Sequence, residues 1–302
     1  MDQNEVNPAN ILKNLRVKNI NRLIVGHLNI NSIVRKFEDL KAIIDSNIDI
    51  LVLTETKLDE SYNTHMFDIE GYSLPFRCNR DKNGGGVLVY VREGIPCKEL
   101  KTNFANDNLE GIFLEINLRK QKWLLFGGYN NCKSNIRTFL GSISPILDHY
   151  MIKLENFILL GDFNSEIHEN AMNEFCDIYN LKNLVNVSTC FKNPLNPSSI
   201  DVILTNRVRS FQNTITLETG LSDHHKMTVS VLKSFVPKQT PMHVKYRDYR
   251  KFDSQNFSHD LRNELLNNRN EICYEYFEST FKNILSRHAP IKTKTIRANN
   301  AP

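Results

Sequence analysis

Apolar residues fall along this chain in short runs that stop abruptly at polar groups. Leu23-Ile24-Val25-Gly26-His27-Leu28-Asn29-Ile30 reads as a buried strand ending in polar side chains, and residues 48–54 as a second one ending at Glu55. Between them Ser32 is placed as the N-cap of a helix with Ile33, Phe37, Leu40 and Ile44 on one face. Strand, helix and strand in succession make a right-handed crossover, the opening of an α/β layer fold.

The middle of the chain is rich in strands. Gly84-Gly85-Gly86 runs straight into Val87-Leu88-Val89-Tyr90-Val91, whereas a phosphate-cradling glycine loop should feed a helix. These glycines therefore read as a tight turn or bulge. Further strands are expected at 112–117, 123–127, 157–160, 200–204 and 227–232. Helical patterns are expected at 136–146, where Pro145 should interrupt or end the element, and at 169–179, with Met172, Phe175 and Ile178 near one face. Residues 1–20 look like a polar leader. Beyond Val236, Pro237, Pro241 and the run Tyr246-Arg247-Asp248-Tyr249-Arg250 break the core pattern, so a boundary is expected near 235. Residues 255–285 then look helical, carrying Leu261, Leu265, Leu266, Tyr276, Phe277 and Ile284. The expected organisation is 1–20 leader, 21–235 main domain and 236–302 basic, partly helical connector. Two sheets packed face to face, with helices outside, would satisfy this order.

Composition narrows the class without naming a function. With 302 residues, 40% of them hydrophobic, the chain can bury a full core. Its longest apolar runs, such as Phe157-Ile158-Leu159-Leu160, are strand-sized and far short of a membrane span. The start, Met1-Asp2-Gln3-Asn4-Glu5, lacks a secretory pattern, which makes nucleus or cytoplasm the expected location. The six cysteines are scattered without a Cys-x-x-Cys pair, arguing against zinc and for reduced thiols. The Asn-x-Ser sequons at Asn186 and Asn256 are then chance matches. Net charge is only +4, but residues 234–302 carry 12 Lys and Arg against 7 Asp and Glu. That excess suits a polyanionic partner, although such a balance is met more often in a solvated linker.

The chemistry lies where apolar runs end: Asn29 and Asn31, Glu55, Asp162 and Asn164, Asp201, and Asp223 with His224. A single such residue is usually a solvated strand end. A set of carboxylates and amides at several strand ends is different, because strand ends on one edge of a layered domain are where sites are built. These donors suit a hard cation such as Mg²⁺ and not zinc. A His beside a carboxylate is a candidate base or transition-state donor. Together they describe attack of water on a phosphate ester.

Leu28-Asn29-Ile30-Asn31-Ser32, Thr54-Glu55-Thr56-Lys57, Gly161-Asp162-Phe163-Asn164, Ser199-Ile200-Asp201 and Ser222-Asp223-His224 follow one another as the five signatures of the endonuclease/exonuclease/phosphatase superfamily do. Over roughly 22–233 the chain resembles that superfamily, which includes apurinic/apyrimidinic endonucleases and DNase I. The Asn-Ile-Asn-Ser form looks like the endonuclease domains of non-LTR retrotransposons. The resemblance implies an α/β fold of DNase I type, a four-layer sandwich of two packed β-sheets flanked by helices. It implies a Mg²⁺-dependent endonuclease, with Mn²⁺ a possible substitute, that nicks DNA to leave a 3′-hydroxyl. On this resemblance Glu55 binds the metal, with Asn31 through water and Asp223 in support. Asn29 and Asn164 position the phosphate, and Asp162 lies beside the nucleophile or leaving group. His224 contacts phosphate or activates water, and Asp201 orients His224. Tyr129 matches the family's phosphate-contacting Tyr. Which of Asp162 and His224 is the base stays open.

Two departures are visible. Asn130-Asn131-Cys132 replaces a Pro-containing segment, and Ser198-Ser199-Ile200 lacks the Arg or Trp of several relatives, weakening any case for an abasic-site pocket. His225 beside His224 leaves open which imidazole faces the site, since adjacent extended residues point to opposite faces. His288-Ala289-Pro290 and Thr295-Ile296-Arg297-Ala298-Asn299-Asn300-Ala301-Pro302 are similar to the connector between endonuclease and reverse transcriptase in such elements. The chain would then stop just before a polymerase, as a truncated copy or fragment does. The alternatives are a superfamily member acting on an inositol phosphate, lipid or RNA ester, and an inactive copy kept as a binding module.

Overall fold

The computed structural model describes residues 7–100, 102, 109–118, 121–131, 135–235, 242–267 and 273–296. The chain divides into two compact units, Met1–Pro237 and Lys238–Pro302. Among the described residues no helix is long and apolar enough to cross a membrane.

The first unit is built on two six-stranded sheets. One contains β1 (Arg22–Asn29), β2 (Ile50–Thr54), β3 (Phe76–Cys78), β4 (Val87–Val91), β11 (Phe211–Leu217) and β12 (Met227–Phe235), in the order β11-β12-β1-β2-β4-β3. The other contains β5 (Cys97–Glu99), β6 (Gly111–Leu118), β7 (Gln121–Tyr129), β8 (Asn156–Asp162), β9 (Lys182–Asn183) and β10 (Asp201–Thr205), in the order β5-β6-β7-β8-β10-β9. β1 and β2 run parallel, as do β7 and β8. This is the expected DNase I-like sandwich.

Side-chain alternation explains both the layers and the site. Leu23 and Val25 of β1, Ile50 and Val52 of β2, Trp123 and Leu125 of β7, Ile158 and Leu160 of β8, and Ile203 of β10 form one buried cluster between the sheets. Ile24 and Leu28 point the other way, into a cluster shared with helices α1 (Pro8–Lys18) and α2 (Phe37–Ile44). Leu124, Leu159 and Leu204 likewise meet α3 (Ile136–Met151) and α4 (Asn170–Ile178). Carried to the strand ends, the same period of two assigns His27, Asn29, Thr54, Tyr129, Asp162 and Asp201 to the faces between the sheets.

The residues read as a polar leader include α1, whose Leu12 and Leu15 are buried and whose Arg16 meets the buried Asp49 at 2.5 Å. Ser32 is not an N-cap, because its own N–H donates to Glu55 O (2.8 Å) and Ile33 N to Thr56 O (3.2 Å). The segment is tied to the loop after β2, and α2 starts only at Phe37. Pro145 sits inside α3. An interior Pro costs about 3 kcal/mol, but burying Phe139, Leu140, Ile143, Ile146 and Leu147 returns roughly 1.5–3 kcal/mol each, so the helix continues. Ile178 is exposed, and Cys176 takes the place expected for it on the buried face of α4.

The second unit contains β13 (Met242–Arg247), α5 (Ser254–Asn267), α6 (Tyr274–His288) and β14 (Ile291–Ile296), with β13 and β14 paired antiparallel. Leu266 and Phe277 remain exposed, Phe277 with its ring stacked on Phe281. Pro237, Pro241, residues 297–302 of the connector-like tail, Cys132 and the first residues of the chain lie outside the described residues.

Candidate active site

The strands bring their polar ends to one edge. Asn29 pairs with Thr54 across β1 and β2, Tyr129 with Asp162 across β7 and β8, and Asp162 with Asp201 across β8 and β10. Close backbone approach is part of the design. A Cβ on Gly161 would lie 1.9 Å from Gly128 O, so only glycine lets β7 and β8 meet immediately before Asp162.

At the centre, Asn29 Nδ2 donates to Asp162 Oδ2 (2.8 Å), and Asn164 N donates to Asp162 Oδ1 (3.0 Å). Asn164 Nδ2 donates to Asn130 O (2.6 Å), and Asn130 N to Asp162 O (2.9 Å), so the 162–164 loop is clamped by the end of β7. Burial, then the nearby Asp201 carboxylate, pushes Asp162 up to about 7.

On one side of this centre lies an oxygen-rich group. Asn31 Nδ2 donates to Asp223 Oδ2 (2.8 Å), and Tyr129 Oη to Glu55 Oε1 (2.8 Å). Lys57 Nζ joins the two pairs, 2.5 Å from Asn31 Oδ1 and 3.9 Å from Glu55 Oε2. Asn31, Glu55 and Lys57 all hold left-handed backbone angles, with φ of 47°, 50° and 55°. Non-glycine residues rarely adopt this region, and it recurs at functional sites. The glycine turn sustains it: Gly85 O and Gly86 O accept from Lys57 N (3.0 Å) and Thr56 N (3.3 Å). A Cβ on Gly86 would lie 2.6 Å from Thr56 Oγ1. These glycines thus hold the Glu55 loop, as a tight turn and not as a nucleotide site.

On the other side lies a histidine pair, and here one expectation is corrected. His224 is exposed. The imidazole that reaches Asp201 belongs to His225, whose Nδ1 donates to Asp201 Oδ2 (2.9 Å). The cause is a bridge between Cys190 and His225, flanked by Phe191 N donating to His224 O and Lys226 N to Thr189 O, both 2.8 Å. Opposed bridge residues share a face, so His225 and Cys190 turn inward and His224 turns out. Burial alone would lower the His225 pKa, but the hydrogen bond to Asp201, with help from Cys190, holds it up to about 11. Burial would raise Asp201; its bond to His225 outweighs that and keeps it below the usual carboxylate range. Behind them His27 is fully buried, with Nε2 3.0 Å from Thr54 Oγ1 and Nδ1 3.5 Å from Asp201 Oδ1. Desolvation lowers His27 to about 4, so it is neutral.

Asn29, Asn31, Glu55, Tyr129, Asp162, Asn164, Asp201 and Asp223 therefore form one continuous edge. Sequence reading gave no role to His27, Lys57 or Asn130, and placed His224 in the site while leaving open which of the two adjacent imidazoles faces it. His27 had a signal, since it shares the strand parity of Asn29. Next to Lys57 opens a cleft of about 280 Å³ lined by Ser32, Arg35, Lys36, Tyr62 and Lys82 among others.

Two donor sets could hold a cation. Asp162, Asp201 and His225 place donor atoms within 4.8 Å of one another, but His225 Nδ1 is already committed to Asp201. Glu55, Asp223 and Asn31 are hard oxygen donors; Glu55 and Asn31 already converge on an ammonium, Lys57, and Asp223 is bonded to Asn31. They fit a hard divalent ion better.

This layered fold, with acids, amides and an imidazolium along one edge, places the protein in a recognisable class. The chain belongs to the endonuclease/exonuclease/phosphatase family, whose model matches residues 26–224. Solved structures agree in fold. The endonuclease domain of TRAS1, a telomere-specific non-LTR retrotransposon, is similar at 13% identity and TM-score 0.55, over 70% of this chain and 98% of that one. The AP endonuclease LMAP from Leishmania major is similar at 14% and 0.59, over 71% and 88%. The APE2 catalytic domain of Xenopus laevis is similar at 17% and 0.56, over 70% and 92%. Comparison with curated protein sequences yields no significant match.

Proposed function

We propose that this chain is a Mg²⁺-dependent DNA endonuclease that leaves a 3′-hydroxyl, as a retrotransposon needs to prime reverse transcription. The observation that carries this reading is the Asp162 carboxylate, set between two amides on one side and the Asp201–His225 pair on the other. Asp162 takes the proton of the attacking water as its oxygen bonds to phosphorus; the P–O3′ bond breaks, leaving a 5′-phosphate and a 3′ oxygen that takes a proton from solvent. Asn29 and Asn164 orient the scissile phosphate through hydrogen bonds, and the cationic His225 offsets the charge that builds on its oxygens. Asp201 fixes the His225 tautomer and ring direction. Glu55, Asn31 and Asp223 would hold the Mg²⁺, with Mn²⁺ a possible substitute, and Tyr129 orients Glu55. The ion's chemistry when bound is to polarise phosphate oxygens. His224, solvent-facing, has no part in this scheme.

Likeness to the TRAS1 domain supports a DNA substrate of this kind, as does the basic cleft beside Lys57. The reading assigns 21–235 to catalysis and 236–302 to a connector that precedes a reverse transcriptase in a longer parent. The test is nicking of supercoiled plasmid with Mg²⁺, abolished by EDTA, followed by polymerase extension from the nick. Nicks that no polymerase extends, or faster turnover of an inositol phosphate or RNA ester, would overturn it.

A further inference from the structure

The basic excess of the C-terminal segment is concentrated on one element. The β13–β14 ribbon and the turn after β13 carry Lys245, Arg247, Arg250, Lys251, Lys292 and Lys294 against two acids, Asp248 and Asp253. Helices α5 and α6 carry Arg262, Lys282 and Arg287 against Asp260, Glu264, Glu275 and Glu278. Cation density of this kind is not what a uniformly solvated linker shows.

Register decides which face is available. Tyr246 lies opposite Lys292, and Val244 opposite Lys294, so Tyr246, Lys292 and Lys294 share a face. Arg247 belongs to the other face and is used internally, its Nη1 donating to Ala289 O (3.0 Å) and to Ser286 Oγ (3.3 Å) at the end of α6. The Tyr246 face therefore looks away from that helix end. Tyr246 is 41% and Tyr249 55% exposed, and Lys292 and Lys294 are exposed as well. Asp248 is engaged by Arg250 (2.8 Å) and Lys292 (2.7 Å), while Lys245, Lys251 and Lys294 have no acidic partner among the described residues.

We infer that this ribbon is a second nucleic-acid-binding surface, separate from the strand-end site of the first unit. Lysines alternating along a strand stand roughly 7 Å apart and meet successive backbone phosphates, while the exposed tyrosines offer flat faces to bases. An acidic protein would be drawn by the lysines but gains less from exposed aromatic rings set among them.

The experiment uses the whole chain in EDTA, so that binding is read without cleavage. Labelled duplex and single-stranded DNA are titrated by fluorescence anisotropy across a salt series. The variant Tyr246→Ala with Lys292→Gln and Lys294→Gln should bind roughly ten-fold more weakly, and its slope of log affinity against log salt should shrink by about 1–2, near one for Lys294 and less for Lys292, which must first leave Asp248. Arg262→Gln with Lys282→Gln, on the helices, should leave the slope unchanged. Equal affinity and slope in the ribbon variant would overturn the inference. So would lost binding to anionic lipid vesicles with DNA binding intact. Plasmid nicking measured in parallel separates the two proposals: a chain that binds through the ribbon yet never nicks would sink the nuclease and leave the ribbon standing.

Discussion

His225 Nδ1 lies 2.9 Å from Asp201 Oδ2, and the imidazole one residue earlier, His224, is exposed. Two adjacent histidines with such different surroundings make an internal control. His225→Ala should lower plasmid nicking by about 10²–10⁴-fold, the range for loss of a positioned proton-transfer or charge-stabilising group. His224→Ala should stay within a few-fold of the parent. Nicking rates of the two purified variants decide it, and the opposite ranking would mean that the loop rearranges on binding DNA.

Asp162 predicts the pH profile. Its folded pKa is raised to about 7 by burial and then by Asp201. A base works in its ionised form, so the rate should climb about ten-fold per pH unit below that value and level off above it. His225, held up to about 11, stays cationic throughout this window and adds no second limb. Asp162→Asn should remove both the rising limb and most of the rate. A rate that falls as pH rises through neutrality would make Asp162 the acid instead.

The strand ends were legible in the sequence because alternation is local: the parity that sends Val25 and Leu160 between the sheets also sends Asn29 and Asp162 there. What was not legible depends on partners far along the chain. The inward turn of His225 is set by a bridge to Cys190, and no local pattern tells two neighbouring imidazoles apart. The residues of α1 looked like a leader because Arg16 is polar, and its buried partner Asp49 lies on a distant segment. The β13–β14 ribbon joins strands separated by both helices of its unit, and its Lys-Thr-Lys-Thr alternation has no apolar face to announce a strand.

Metal dependence should single out the oxygen-rich side. Glu55→Gln keeps the shape and the acceptor for Tyr129 but removes a charge, so the Mg²⁺ concentration for half-maximal nicking should rise by roughly ten-fold or more. Asp223→Asn should shift it in the same direction, and by less, since Asp223 is the more exposed of the two. Nicking across a Mg²⁺ series, repeated with Mn²⁺, measures this. Unchanged half-saturation in both variants would move the ion to Asp162 and Asp201.

His27 should act on the rate without touching substrate. It is fully buried and neutral, and its Nδ1 lies 3.5 Å from Asp201 Oδ1 without a hydrogen bond between them, neither atom having such a partner among the described residues. In the tautomer whose Nε2 accepts from the Thr54 hydroxyl, the Nδ1–H dipole is turned to Asp201 Oδ1 and restrains electrostatically the carboxylate that in turn aims His225. His27→Phe keeps the ring and removes the N–H dipole that faces a buried carboxylate oxygen. Turnover should fall roughly ten-fold while KM is unchanged, because an aiming defect acts in the transition state and not on DNA binding. The His225 ring should also titrate at lower pH by NMR, since a loosened Asp201 holds its proton less well. His27→Asn, which restores an N–H, should recover part of both effects. A His27→Phe enzyme that is merely less heat-stable, with turnover and His225 titration as before, would reduce His27 to a packing residue.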